Sequence, residues 1–253
     1  MAKKRRNGAK AQLEEVTLAL VQNGRAMTEE VKRKTWSKHD IKLVKPLTPT
    51  QEDMFHAWYN EKNICATGSA GTGKTFLALY LAITEIIQKH QNRIIIVRSA
   101  VPTRDVGFLP GDLDEKTALY ELPYQDIMWE LVGRASTYHD MKDAGIIEFM
   151  TTSFIRGLTW DNAIIVIDEA ENMTFHEIDS IMTRIGENTR VIIAGDVKQT
   201  DLDGRKNGTC GLADAIKVMK TMEEIDIVQF NKYDIVRSEF VKSWIIATEE
   251  TLI

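Results

Sequence analysis

Hydrophobic positions along this chain fall into short continuous runs more often than into alternating ones. Runs at 93–97 (RIIIV), 146–150 (IIEFM), 163–167 (AIIVI), 190–194 (RVIIA) and 225–229 (IDIVQ) predict strands. A shorter one, from Asn63 to Thr67, leads directly into glycines. Several of these runs are unbroken β-branched stretches, the pattern of parallel strands covered on both faces. Between them the spacing becomes helical. Residues 74–88 are apolar nearly all round (Phe76, Leu77, Leu79, Tyr80, Leu81, Ile83, Ile86, Ile87), which predicts a buried helix. At 174–185, Ile178, Ile181, Met182 and Ile185 share one face, and 236–249 puts Val236, Phe240, Val241, Trp244 and Ile245 on one side. Strand–helix alternation of this kind predicts an α/β fold: a three-layer, doubly wound, mostly parallel sheet with ligands beyond the carboxyl ends of its strands.

The first part of the chain follows a different pattern. Residues 10–22 have helical composition with a loose apolar face at Leu13, Val16 and Leu20, and LVKPLTPTQ at 43–51 reads as a proline-marked linker. This divides the chain into a basic N-terminal extension, 1–46, and a main domain, 47–253. Charge sharpens the division. Residues 1–46 hold twelve Lys/Arg against five Asp/Glu, a net of +7; the whole chain is −5, so 47–253 sum to −12. A basic arm on an acidic body is a signature of polyanion contact. A solvated helix with a disordered tip, or a nuclear-localisation segment, is a competing reading of the same charges.

Composition bounds the remaining classes. With 253 residues, 43% hydrophobic and 27% charged, the chain can build one sizeable core and reads as soluble and globular. No apolar run approaches the roughly 18 residues of a membrane span, and no apolar stretch follows Lys3, Lys4, Arg5 and Arg6 as a secretory signal requires. The two cysteines, Cys65 and Cys210, are far apart and lack metal-ligand spacing, which fits a reducing cytoplasm.

The densest chemistry lies at Gly68-Ser69-Ala70-Gly71-Thr72-Gly73-Lys74-Thr75, a full GxxxxGK[ST] P-loop between a strand and a helix. Its glycines let backbone N–H groups wrap a triphosphate at a helix N-terminus, whose dipole favours anions. Lys74 reaches the β- and γ-phosphates of ATP, and Thr75 offers its hydroxyl to Mg²⁺. The strand Ile164-Ile165-Val166-Ile167 then delivers Asp168 and Glu169 at its carboxyl end. Asp168 is the expected metal carboxylate, and Glu169 the group that polarises the attacking water. A passive nucleotide binder needs no such base, so the pair argues for hydrolysis. Gly195-Asp196-Val197-Lys198-Gln199 follows the next strand, where a polar side chain can sense the γ-phosphate.

These three elements, in this order, resemble the ATPase core of superfamily 1 helicases, and more closely the PhoH family. The resemblance extends over most of 47–240. It is carried by GFLPGDL at 107–113, by Phe154-Ile155-Arg156-Gly157 to Trp160 leading into Asp168-Glu169-Ala170-Glu171-Asn172, by Thr183-Arg184-Ile185-Gly186 before Gly195-Asp196 and Gln199, and by Asp234-Ile235-Val236-Arg237. It implies a RecA-like P-loop core. It also implies that Thr48-Pro49-Thr50-Gln51 acts as a Q-motif with Gln51 near the adenine, and that Gln199 is the γ-phosphate sensor. The stretch Arg98 to Arg104 is similar to the segment lining the nucleic-acid path of helicase relatives. Four positions depart from the family pattern: Ser99 and Val197 replace prolines, Glu171 a glutamine and Ser238 a histidine.

Superfamily 1 helicases bring arginines to the γ-phosphate from a second RecA-like domain, and the residues after 200 are too few for one. Arg184 and Arg237 are the candidates for that role, within the domain or from a neighbouring subunit, with a structural salt bridge as the alternative for each. The PhoH resemblance implies a homo-oligomeric ring, such as a hexamer. The leading expectation is therefore an ATPase coupled to single-stranded RNA or DNA. An ATP-dependent assembly or regulatory switch without nucleic acid is the alternative. A small-molecule P-loop kinase fits less well, because Glu169 and Gln199 suit water activation and no acceptor site is visible.

Overall fold

The computed structural model describes residues 36–99, 113–155, 157–197 and 210–252. The predicted helix at 10–22, the segment 107–112, Arg104, Arg156 and Gln199 lie outside the described residues. Most of the basic extension does too.

Residues from Ser37 onward form one compact unit. A 3₁₀ turn at Lys38–Asp40 precedes helix α1 (Pro49–Tyr59). The core then runs β1 (Asn63–Gly68), α2 (Lys74–Gln88), β2 (Arg93–Arg98), α3 (Leu113–Val132), α4 (Thr137–Asp143), β3 (Ile147–Thr151), β4 (Ala163–Asp168), α5 (Phe175–Met182), β5 (Arg190–Gly195), α6 (Gly211–Met219), β6 (Ile225–Phe230) and α7 (Glu239–Leu252). All six predicted strands form. The segment 43–51 is only partly a linker, because its last residues open α1: Thr48 caps the helix by accepting from the Gln51 N–H at 3.3 Å, and Pro49 stands in the first turn. A Thr-Pro pair suits a helix start, since proline's fixed φ fits the first turn and its missing N–H costs nothing there.

The six strands make one sheet in the order β3-β2-β4-β5-β1-β6, and every pairing is parallel. The chain leaves β1, skips the two positions later filled by β5 and β4, and finally returns to the other side of β1 as β6. That reversal beside β1 is the topological switch at which open α/β sheets bind ligands. Both sheet faces are covered. Cys65, Ile95, Val97, Ile165, Ile167 and Ile193 pack in one cluster with Ile178 and Ile181 of α5 and Leu212, Ala215 and Met219 of α6. The alternate residues, Ile64, Ile94, Ile96, Ile164, Val166 and Ile192, are equally buried and point to the opposite layer, where α2 packs on β2, β4 and β5. Double coverage explains why the strands read as continuous apolar runs. Register fixes what meets at the carboxyl ends: Arg98 stands beside Asp168, Thr67 beside Gly195 and Gly68 beside Phe230.

One expected face does not become core. On α7, Phe240 and Trp244 are 78% and 67% exposed, while Ile245 of the same helix approaches the P-loop at Gly71. Among the described residues no helix is long and apolar enough to cross a membrane.

Candidate nucleotide site

The P-loop leaves β1 at Gly68 and enters α2 at Lys74. Gly68 has φ +115°, and a Cβ there would fall 1.9 Å from the carbonyl oxygen of Phe230, so only glycine lets β1 and β6 close at this point. Gly73 precedes α2 in the left-handed region, at φ 86°, and no side chain caps the helix. The first N–H groups of α2 are thus left for an anion.

Lys74 lies folded onto its own loop, donating to the carbonyls of Gly68 at 2.6 Å and Ser69 at 2.8 Å. Burial pulls its ammonium below the usual lysine range, against the opposing pull of Asp196, Glu171, Asp168 and Glu169. Thr75, one residue on, donates its hydroxyl to Asp168 Oδ1 at 2.7 Å. The two residues expected to share a metal therefore converge from α2 and β4. Asp168 is buried, which pushes its carboxyl upward; the Thr75 bond opposes this, Glu169 adds to it, and Tyr124 and Arg98 oppose it. The Tyr124 hydroxyl donates to the other oxygen, Asp168 Oδ2, at 2.9 Å.

Glu169 directly follows β4 in the left-handed conformation, at φ 53°, and its side chain is 42% exposed. Its Oε1 lies 3.9 Å from Arg98 Nη2. Glu171 is buried and accepts the Asp196 backbone N–H at 3.0 Å, tying the turn after β4 to the end of β5. The segment holding Gln199 leaves that same end, between β1 and β4, although Gln199 itself is outside the described residues.

Gln51 braces the loop from the side. It is buried, its Oε1 accepts from the Leu47 N–H at 2.8 Å, and its Nε2 donates to the Thr72 carbonyl at 3.0 Å. The β6–α7 connection flanks the same loop: Val236 N–H donates to the Gly71 carbonyl at 3.0 Å. A Cβ on Gly71 would meet the Arg237 Cγ at 3.1 Å.

The two arginine candidates thus separate. Arg237 is exposed and packs on its own P-loop. Arg184 is anchored at the opposite end of the sheet: its carbonyl accepts from Trp160 N–H at 3.0 Å, ahead of β4, and its guanidinium donates to the Ser180 carbonyl. A strand of this length, about 17 Å at ~3.3 Å per residue, separates it from the phosphates of its own subunit.

Two residues join this site that the sequence motifs do not assign to it. Tyr124 is one; its spacing from Tyr120, i to i+4 on α3, is the only local signal, and it reads equally well as core packing. Arg98 is the other, assigned by resemblance to the nucleic-acid path. Its place at the end of β2 puts it beside Glu169, with its guanidinium 5.5 Å from the centre of the Tyr120 ring.

Comparison with known proteins agrees with this geometry. The family described as PhoH-like protein matches residues 43–249. Protein PhoH of Escherichia coli K12 is 36% identical over 205 residues, covering 79% of this chain and 57% of that protein. The PhoH-like protein of Bacillus subtilis 168 is 35% identical over 210 residues, covering 83% of this chain and 65% of that protein. The chain thus spans a little over half the length of these curated relatives. Among solved structures, the Sulfolobus solfataricus SWI2/SNF2 ATPase core in complex with dsDNA is 13% identical with a TM-score of 0.42, covering 79% of this chain and 47% of that one. A P-loop facing an Asp-Glu pair across one parallel sheet, with the family match extending over 43–249, identifies the chain as a member of the PhoH-like family of P-loop proteins.

Proposed function

We propose that this domain hydrolyses ATP with Mg²⁺ and couples turnover to single-stranded RNA or DNA. The observation that carries the first half is the Thr75–Asp168 contact of 2.7 Å with Glu169 beside it, at the mouth of a P-loop. Two protein oxygens suit a hard cation that keeps phosphate and water ligands, and no cluster of three or more ligating side chains exists among the described residues. Thr75 and Asp168 would hold Mg²⁺, whose part when bound is to neutralise charge on the phosphate oxygens. Lys74 exchanges its two loop carbonyls for the β- and γ-phosphates. Glu169 accepts the proton of the attacking water, and the partly open position of its side chain gives that water access. Gln199, which follows β5 in the sequence, would sense the γ-phosphate. Gln51 fixes the P-loop through Thr72 and sets the side on which the adenine lies.

Coupling to nucleic acid is supported by the +7 charge of residues 1–46 and by the stretch from Arg98 onward, whose first residue stands beside the candidate base. Lys74→Ala should weaken ATP binding and abolish turnover, because the phosphates lose their cation. Glu169→Gln should bind Mg-ATP and lose turnover, since shape is kept and basicity lost; turnover near the wild-type rate would remove Glu169 as the base. Wild-type ATPase rate should rise with single-stranded RNA or DNA and less with duplex.

A second reading, an ATP-dependent assembly switch without nucleic acid, is favoured by α7. Its exposed Phe240 and Trp244 suit a contact with a second copy of the chain in a homo-oligomeric ring, and its Ile245 packs on the P-loop. An ATPase rate indifferent to every nucleic acid but steep in protein concentration would select this reading.

A further inference from the structure

The two oxygens of the Asp168 carboxylate are held by different elements. Oδ1 accepts from Thr75 at the start of α2, at 2.7 Å, and Oδ2 accepts from the Tyr124 phenol within α3, at 2.9 Å. Tyr124 has no exposed surface, and its ring lies tilted against Phe149 of β3 with centroids 5.9 Å apart. Phenylalanine would fill the same space without a hydroxyl to satisfy. What the hydroxyl adds is one directed donor, spent on a buried carboxylate.

We propose that Tyr124 is a positioning residue for the metal carboxylate: it occupies Asp168 Oδ2, so that Oδ1 alone faces the phosphate crevice. The proposal rests on the reading of Asp168 as the Mg²⁺ carboxylate. Its consequence is selectivity among cations. Thr75 and Oδ1 now satisfy each other, and they are the atoms a nucleotide-bound cation can claim. Mg²⁺ demands near-octahedral geometry and takes carboxylate oxygens singly, whereas Ca²⁺ accepts both oxygens of one carboxylate. A Tyr124 that keeps Oδ2 engaged therefore favours Mg²⁺, and its loss frees an oxygen that only the larger ion uses well.

A matched control involves the same helix. Tyr138 of α4 is also fully buried, and its hydroxyl donates to Glu121 of α3 at 2.8 Å, where Lys142 pairs with the same carboxylate at 2.7 Å. Tyr138→Phe removes the same kind of bond from α3 without touching Asp168.

The test is binding of a fluorescent ATP analogue to the full chain, titrated separately with Mg²⁺ and Ca²⁺, alongside the melting temperature of each variant. Tyr124→Phe should raise the Mg²⁺ concentration for half-saturation by about tenfold, the usual scale for losing a partner of a metal ligand. It should raise that for Ca²⁺ less, so that preference moves toward Ca²⁺. Tyr138→Phe should lower the melting temperature yet leave both metal titrations at wild-type values. A Tyr124→Phe titration indistinguishable from wild type, or an equal shift in Tyr138→Phe, would overturn the proposal. If circular dichroism finds Tyr124→Phe unfolded, 3-fluorotyrosine at position 124 keeps the ring and strengthens the donor. An unmoved Mg²⁺ titration with that residue overturns the proposal as well. Wild-type nucleotide binding indifferent to Mg²⁺ would remove the metal reading of Asp168 and the proposal with it. Mg²⁺ dependence in wild type with no change in Tyr124→Phe removes the proposal alone.

Discussion

At position 171 a carboxyl stands where the family resemblance leads one to expect an amide, and its surroundings explain why the exchange is tolerated. Glu171 is buried, accepts the Asp196 N–H, and has its pKa raised from 4.5 to about 8, first by burial and then by Glu169. A protonated Glu171 is neutral and close to glutamine in shape. The sign of the pH effect follows from proton counts. Between the unfolded and folded values the native chain holds a proton that the unfolded chain has released, so stability falls as pH rises through that window. The slope is at most about 1.4 kcal/mol per pH unit for one group. Glu171→Gln removes the titration, so its stability relative to wild type should grow from pH 5 to pH 8 by about 1–3 kcal/mol. Urea unfolding at several pH values measures this; a difference constant with pH would mean that Glu171 is not protonated in the folded chain.

Two glycines with positive φ separate conformational strain from steric closure at the level of elements. Gly133 ends α3 at φ 76° and donates to the Trp129 carbonyl at 2.6 Å, and a Cβ there would meet no atom within 4 Å. Its substitution by alanine meets only the backbone penalty of the left-handed region, about 1 kcal/mol. Gly68→Ala carries a comparable strain and adds a clash with the Phe230 carbonyl, which can be relieved only by parting β1 from β6. The expected loss is about 2–5 kcal/mol, with ATP-analogue binding lost along with it. Denaturant midpoints of the two variants check the difference; equal losses would mean that the β1–β6 junction yields easily. The same closeness limits α7, which is held to the P-loop through Ile245 while its aromatic residues stay outside.

For the whole molecule, the sheet separates the two arginines that could complete the phosphate site. Arg237 packs on the P-loop of its own chain, whereas Arg184 lies at the amino ends of the strands, so a finger role for Arg184 would require a phosphate site in a neighbouring subunit. An arginine finger is worth ~10³–10⁵ in rate, so its loss is easily measured. In verified mixed assemblies, Arg184→Ala with Glu169→Gln should recover activity, up to about a quarter of wild type if a head-to-tail ring mixes at random. Arg237→Ala with Glu169→Gln should recover none above its parents, because neither subunit has a complete cis site. Recovery in the Arg237 pair, and none in the Arg184 pair, would reverse the assignment.

How much of this was legible in the sequence depended on range along the chain. The P-loop is one contiguous segment whose chemistry is local: glycines for backbone approach, a lysine and a threonine at a helix start. The strand carrying Asp168 and Glu169 is likewise local, and double burial wrote it as an apolar run, so the α/β class followed from the sequence alone. Strand order did not. Runs such as RIIIV and AIIVI carry no label for their neighbours, and only the pairing of β2 with β4 put Arg98 beside Asp168. The Tyr124 hydroxyl reaches Asp168 across 44 positions, and Gln51 reaches Thr72 across 21. Such contacts depend on helix placement over the sheet, which hydrophobic periodicity leaves open. The outward turn of Phe240 and Trp244 is of the same kind: the sequence determined that α7 has an apolar face, and the tertiary structure decided that its Ile245 side meets the P-loop at Gly71 while the two aromatic rings stay exposed, because which side of a helix is covered depends on where the helix docks and not on its periodicity.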